Sequence, residues 1–193
     1  MSEDRKQSDP GICQTIGNAL ALNGSFYETA RNTPQNRRIA LTIVILAAVA
    51  YALGSGVILL INRASYTLVL VAVLINALAL VASYYFWTFT IWKVGHWMKS
   101  NAPTYGDLLS PIGFAYAPQV LNFLTLIPLL GRPIELILAV WSLLAVIVAV
   151  RQGLNISTPR AALICLLGWP LIQVAIGFVQ VLQQEIVQSV AVR

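Results

Sequence analysis

The sequence contains uncharged apolar runs long enough to cross a lipid bilayer, and this feature restricts its fold more than any other. The clearest run covers residues 39–61, which contain no Asp, Glu, Lys or Arg. About 20 apolar residues in a helix span the hydrocarbon core. Hydrophobic residues make up 58% of the chain and charged residues 10%, too few to cover the surface of a soluble domain. The sequence predicts an all-α fold, a polytopic transmembrane helical bundle in contact with the lipid bilayer.

The apolar runs and the residues between them predict about five spans. The expected spans cover residues 39–61, 66–92, 111–130, 133–151 and 160–182. The first has a face of small residues suited to close helix contact: Ala47, Ala50, Gly54 and Gly56. The third contains Pro118 and Pro128, and proline removes a helical hydrogen bond, so we expect this span to be kinked or broken. A re-entrant hairpin is the alternative for this span.

Polar stretches flank the predicted membrane domain at residues 39–182. Residues 1–38 are expected to form a cytoplasmic polar leader, and residues 183–193 a short polar tail. Within the leader, Ile12, Ile16 and Leu20 recur at helical spacing, which predicts an amphipathic helix on the membrane surface or on the bundle. A leader without fixed structure is the alternative.

Several residues have the chemistry of helix ends. Ser110 followed by Pro111 is typical of an N-cap and first helical position, which predicts that the third helix begins there. Pro133 is expected near the start of the fourth helix, and Gly153 just beyond its end. Residues 93–110 then form the longest loop, whose aromatic residues favour the membrane interface.

The basic residues predict the orientation. With the N-terminus inside, seven would lie at inner ends and three at outer ends, which agrees with the positive-inside rule. The inner set is Arg31, Arg37, Arg38, Lys93, Lys99, Arg151 and Arg160, and the outer set is Arg63, Arg132 and Arg193. We therefore predict a cytoplasmic N-terminus, an external C-terminus and an odd number of spans.

The sequence lacks the residue combinations that a catalytic site, a metal site or a nucleic-acid surface would require. The few acids do not pair in this topology, and the single histidine, His96, cannot build a metal site alone. The basic residues form no stripe for nucleic acid. Cys13 and Cys165 are expected at different depths, so no disulfide is predicted. The sequence predicts neither enzyme activity nor a cofactor.

Neutral polar residues within the spans leave two interpretations open. In span 5, Gln173, Gly177 and Gln180 share one helical face with Trp169 and Gln184. Such a stripe indicates either interhelical hydrogen bonding and a seam for a partner helix, or a polar pathway. The broken third span is likewise either a kink satisfied by its neighbours or a binding site.

Residues 105–118, which read YGDLLSPIGFAYAP, resemble the Yip1 domain family. Gly113 to Pro118 is similar to the family's Gly-Tyr-x-x-x-Pro element, with Phe114 in place of tyrosine. Asp107 to Pro111 is similar to its Asp-Leu-Tyr-Gly-Pro element. Residues 26–34, 141–152 and 157–161 also look like bacterial members, so the resemblance covers residues 20–182. It implies a five-span fold with a cytoplasmic N-terminus.

These observations favour a non-enzymatic scaffold or accessory subunit that binds other membrane proteins or itself. Eukaryotic Yip1 members are associated with vesicle traffic, a role that we do not extend to a chain resembling the bacterial branch. A bacterial inner membrane or a thylakoid membrane is expected. The alternative is a small-molecule or lipid transporter or channel. The candidate interaction residues are Asp107, Pro111, Gly113, Phe114, Pro118, Gln173, Gly177 and Gln180.

Overall fold

A computed structural model describes residues 11–29, 33–61, 63–98, 103–127, 129–168 and 181, and this part of the chain is helical throughout. The elements are α1 (Ile12–Leu20), α2 (Gly24–Thr29), α3 (Pro34–Ile61), α4 (Tyr66–Met98), α5 (Tyr105–Phe114), a 3-10 helix (Ala117–Leu126), α6 (Gly131–Leu154) and α7 (Thr158–Gly168). Among the described residues, α3, α4 and α6 are long and apolar enough to cross a membrane, and α7 is a shorter apolar helix. The predicted all-α membrane bundle is confirmed.

Helix α3 lies at the centre of the bundle because its inward face is made of small residues. It packs against α4, α5 and the 3-10 helix. The predicted small-residue positions are all buried: Ala47, Ala50, Gly54 and Gly56. A Cβ on Gly56 would lie 2.9 Å from a Val73 methyl, so glycine allows α4 to approach closely here. The most apolar window of α3 is 44% buried inside the protein, against 11% for α4, which makes α4 peripheral.

The third span is a short α-helix followed by a 3-10 helix, and the predicted start at Ser110-Pro111 is wrong. Helix α5 begins at Tyr105, where Thr104 and Asp107 form a capping box. Asp107 accepts hydrogen bonds from the backbone N–H of Thr104 at 2.9 Å and from its hydroxyl at 2.6 Å. This reciprocal cap satisfies the helix start more completely than a lone serine. Pro111 therefore lies inside α5, which ends three residues later at Phe114.

The proline-containing segment, which comprises α5 and the 3-10 helix, runs alongside α3. Gly113 lies against Ala40 near the start of α3, and Thr125 lies against Gly54, towards its far end. A 3-10 helix rises about 2.0 Å per residue, against 1.5 Å for an α-helix, so few residues cover this distance. Over the described residues this segment therefore runs alongside α3, and its crossing of the membrane stays a prediction.

The end of α6 differs from the prediction because a left-handed cap ends the helix beyond Gly153. Helix α6 runs from Gly131 to Leu154, so Pro133 lies in its first turn as predicted, whereas Gly153 lies inside the helix. Asn155, at φ 49°, ends α6, with the backbone bonds of a Schellman motif to Gln152 and Arg151.

Helix α4 continues to Met98, so much of the predicted loop at residues 93–110 belongs to α4 and α5. The capping box at Thr104 begins α5 within that stretch, and Trp97 and His96 lie on the last turn of α4. The predicted interfacial loop is therefore reduced to a short connection between two helix ends.

Basic residues lie at helix ends on both ends of the bundle. Leu154 packs on Gly95, so α4 and α6 finish at the same end of the bundle, with Lys93 and Arg151. Ile61 and Arg132 line one groove at the opposite end. Which end faces the cytoplasm stays a prediction.

The leader forms two short helices that pack on the bundle. Helix α1 contacts α5 and the 3-10 helix, and α2 contacts α6. Thr15, Ala19 and Tyr27 are buried by this packing. Leu22, at φ 53°, reverses the chain between α1 and α2.

Candidate functional site

The proline-broken segment is held by close helix contacts that only small residues permit. A Cβ on Gly113 would lie 2.8 Å from the Cβ of Ala40, and a Cβ on Gly153 would lie 2.8 Å from a Leu108 methyl. Real Cβ atoms do not approach that closely, so Gly113 sets the distance between α5 and α3. Gly153 does the same between α6 and α5, which is its structural role in place of the predicted helix stop.

Ser110 and Pro111 are fully enclosed in this contact. Both are buried, and the Ser110 hydroxyl has no hydrogen-bond partner among the described residues. Proline supplies no N–H for the turn that precedes it, so the helical ladder is interrupted at this point. The two residues therefore mark the least satisfied backbone and side-chain groups of α5.

Tyrosine side chains of α4 and α5 form hydrogen bonds that hold the two helices together. The Tyr84 hydroxyl donates a 2.8 Å hydrogen bond to the Leu109 carbonyl oxygen. The Tyr105 hydroxyl donates to the Tyr85 carbonyl oxygen at 3.2 Å. The Tyr105 ring also makes an edge contact with Trp92, at 6.3 Å between ring centroids. These tyrosine and tryptophan rings therefore hold α5 against α4.

Pro118 lies in the first turn of the 3-10 helix, which carries a row of polar side chains on its next turns. Gln119 Nε2 donates to Ser142 Oγ of α6 at 3.1 Å, and Asn122 donates to Gln119 Oε1 at 2.5 Å. The Thr125 hydroxyl donates to the Asn122 carbonyl oxygen at 2.6 Å. The row therefore links the 3-10 helix to α6 with neutral hydrogen bonds.

A second neutral bond links the other two long helices. Asn76 Nδ2 of α4 donates to Ser55 Oγ of α3 at 3.0 Å, and Ser55 in turn donates to the Ala52 carbonyl oxygen at 2.9 Å. Interhelical hydrogen bonding, one of the two predicted uses of such residues, is therefore present at Asn76 and Gln119.

The leader contacts the candidate motif directly. The Phe26 ring lies 5.2 Å from the Phe114 ring, measured between centroids, and Phe114 is buried. On one face of α6, Trp141 Nε1 donates to the Leu20 carbonyl oxygen at 3.0 Å, and Gln152 Nε2 donates to the Gly24 carbonyl oxygen at 3.2 Å. Sequence reasoning missed this anchor because both acceptors are backbone atoms far away along the chain.

Tyr27 closes the leader hairpin. Its hydroxyl donates to the Ala19 carbonyl oxygen at 3.3 Å. Burial raises the pKa of the Tyr27 phenol above its ordinary value, because a phenolate would lose its hydration there. The phenol is therefore held in its protonated, donating form.

The structure unites part of the predicted set of residues. Pro111, Gly113 and Phe114 are all buried near the end of α5, where they lie against α6, α3 and α2 respectively. Asp107 caps the start of the same helix. Gln173, Gly177 and Gln180 lie outside the described residues. In the described part of the chain, the Asp, Glu, Lys and Arg side chains lie at or near helix ends, and Arg132 and Glu135 form an ion pair at the start of α6. The arrangement can position helices and bind apolar or neutral polar groups.

Comparison with known proteins gives one match. A family model described as the Yip1 domain matches residues 20–180, most of the chain. No curated protein matches the chain, and no solved structure does. The matched range begins at the last residue of α1 and includes the broken segment and α7.

Proposed function

This chain belongs to the Yip1 domain family of membrane proteins, and from that premise we propose that it is a non-enzymatic scaffold or accessory subunit. It binds other integral membrane proteins, or a second copy of itself, through outward faces of its helices. Its interior holds the helices in place.

The observation that carries this proposal is the internal use of the buried polar groups. Gln119 of the 3-10 helix donates to Ser142 of α6 and accepts from Asn122 on its own helix. Asn76 of α4 donates to Ser55 of α3. The central residues of α3, α4 and α6 carry no charge. Ionisable groups within spans are typical of transport pathways, whereas neutral interhelical bonds fix helix positions. These contacts support an architectural role.

The proposed partner surface is the aromatic end of α4, which we define as Tyr85, Phe86, Phe89 and Trp97. All four side chains are exposed, and Trp97 is exposed to 87%. Aromatic side chains are enriched in protein interfaces because they contribute a large contact area with little conformational entropy. The backbone of α4 is fixed here by two hydrogen bonds with α5, one from the Tyr84 hydroxyl to Leu109 and one from the Tyr105 hydroxyl of α5 to the Tyr85 carbonyl oxygen.

Site-specific photo-crosslinking in the native membrane tests the proposal. A photoreactive amino acid at Phe89 or Trp97 should give one crosslinked protein at a fixed ratio to this chain. The matched control is Leu74, which is also exposed and lies on the same helix away from the aromatic end. Equal crosslinking from all three positions, or lipid adducts alone, would reject a partner at this surface.

Transport is the second candidate, because the Gln119–Asn122–Ser142 row lies beside a broken helix. Labelling of Asn122→Cys by a water-soluble thiol reagent tests it, in a background with Cys13 and Cys165 replaced by serine. Labelling from the aqueous phase would support a polar pathway. The buried control Ala115→Cys should stay unlabelled in either case.

A further inference from the structure

A groove of about 530 Å³ lies at the end of the bundle where α3 finishes and α6 begins. This volume falls within the roughly 300–1,000 Å³ that small-molecule sites occupy. Most of its lining is apolar and comes from α3, the 3-10 helix and the turn that leads into α6. The side chains used here are Ile58, Ile61, Leu126, Ile127, Leu129 and Arg132.

The mouth of the groove is bordered by large apolar side chains that face outwards. Leu129 is fully exposed and Ile61 is 75% exposed. Leu129 also adopts φ 68°, a conformation that is costly for a side chain with a Cβ. Large apolar side chains that remain exposed in this way mark sites of contact with a membrane, a protein or a ligand.

Arg132 adds one positive charge to this apolar mouth. Its guanidinium forms a 3.1 Å ion pair with Glu135, and the two side chains are 86% and 54% exposed. An exposed pair of this kind contributes little and exchanges its partner readily. Arginine has five donors in a planar fork, so it can bind a phosphate with two hydrogen bonds. A positive charge beside an apolar groove matches the two parts of a phospholipid, its anionic headgroup and its acyl chains.

We propose that this groove is a binding site for one anionic phospholipid, with an acyl chain along Ile58 and Ile127 and the phosphate on Arg132. The inference concerns the opposite end of the bundle from the aromatic end of α4. It does not depend on the proposed scaffold role. Glu135 competes with the phosphate for the Arg132 guanidinium, so its carboxylate lowers the affinity of the groove for the lipid.

Native mass spectrometry of the full chain in mild detergent tests this site, with phosphatidylglycerol titrated against phosphatidylcholine. Arg132→Gln should weaken phosphatidylglycerol binding by about threefold to fivefold, the size expected for an exposed charge contact. Glu135→Gln should strengthen it, because the competing carboxylate is gone. The matched control is Arg63→Gln, which removes the same charge from the same end without lining the groove.

A second variant tests the groove itself. Ile58→Trp should fill it and lower occupancy by both lipids, while the thermal midpoint shows that the protein remains folded. Equal losses from Arg132→Gln and Arg63→Gln would mean general charge attraction and would overturn the proposal. Displacement of the bound lipid by inorganic phosphate would also overturn it, because the apolar groove would then contribute nothing to binding.

Discussion

Tyr84 and Leu109 are 25 positions apart, yet the tyrosine hydroxyl donates a 2.8 Å hydrogen bond to the leucine carbonyl oxygen in the buried centre of the bundle. This bond ties the aromatic end of α4 to the backbone of α5, two residues before Pro111. It connects the most exposed long helix with the family-like motif.

Tyr84→Phe should lower the free energy of unfolding by about 1 kcal/mol, because the Leu109 carbonyl loses a buried donor while the ring is kept. The control is Tyr85→Phe, whose partly exposed side chain should change stability much less. Denaturant unfolding in detergent micelles measures both variants. Equal losses in the free energy of unfolding would show that the Tyr84 hydrogen bond does not stabilise the protein as proposed.

Gly113→Ala should destabilise the protein by about 1–3 kcal/mol, since the new methyl would overlap that of Ala40 and both belong to rigid helices. The double variant Gly113→Ala with Ala40→Gly should recover most of this loss. Gly17→Ala, where nothing lies within 4 Å of the new Cβ, is the matched control. No recovery in the double variant would contradict the contact.

Trp141→Phe should loosen the leader while the bundle stays folded, because the Leu20 carbonyl loses its indole donor. Hydrogen exchange of α1 and α2 should then rise by about fivefold, corresponding to roughly 1 kcal/mol for one hydrogen bond. Gln152→Leu, which removes the second anchor, should have a similar effect. Faster exchange across α3 as well would indicate general unfolding instead.

The leader should also detach at high pH. Burial raises the pKa of Tyr27, so its contribution to stability is complete below the ordinary phenol pKa of about 10 and declines as the pH rises above it. Protease cleavage of the leader should therefore increase above that pH. Tyr27→Phe, which cannot ionise, should remove this pH dependence but not the cleavage that other groups cause.

Reporter fusions test the predicted orientation. A reporter placed before Met1 should report the cytoplasmic side and one placed after Arg193 the external side, because five spans separate them in our prediction. The same side for both would mean an even number of spans. Moving the second reporter to Asn155 would then locate the discrepancy before or after α7.

The sequence was most informative where one helix face decides the structure. The small residues of α3 are buried as predicted, because backbone proximity depends on side-chain size alone. The chemistry at Ser110-Pro111 was misread, since the same dipeptide suits a helix start and a buried break. The choice between them depended on Thr104 and Asp107, which form a stronger cap earlier in the chain.

Long-range contacts could not be predicted from local patterns. The hydrogen bonds from Trp141 and Gln152 to the leader could not be predicted, because their acceptors are backbone carbonyl oxygens, which every residue has. The groove at Ile58 and Arg132 likewise depends on how three elements end together. The 3-10 winding after Pro118 was anticipated only as a break, without its geometry.

The 3-10 winding determines how far the segment from Ala117 to Leu126 reaches along the bundle. Gln119, Asn122 and Thr125 align in one row only because three residues complete a turn. Rewinding the ten residues from Ala117 to Leu126 as an α-helix would shorten the segment by about 5 Å and rotate the row out of line. The length of this segment along α3 is thus coupled to its helical pitch, and a change in one would change the other.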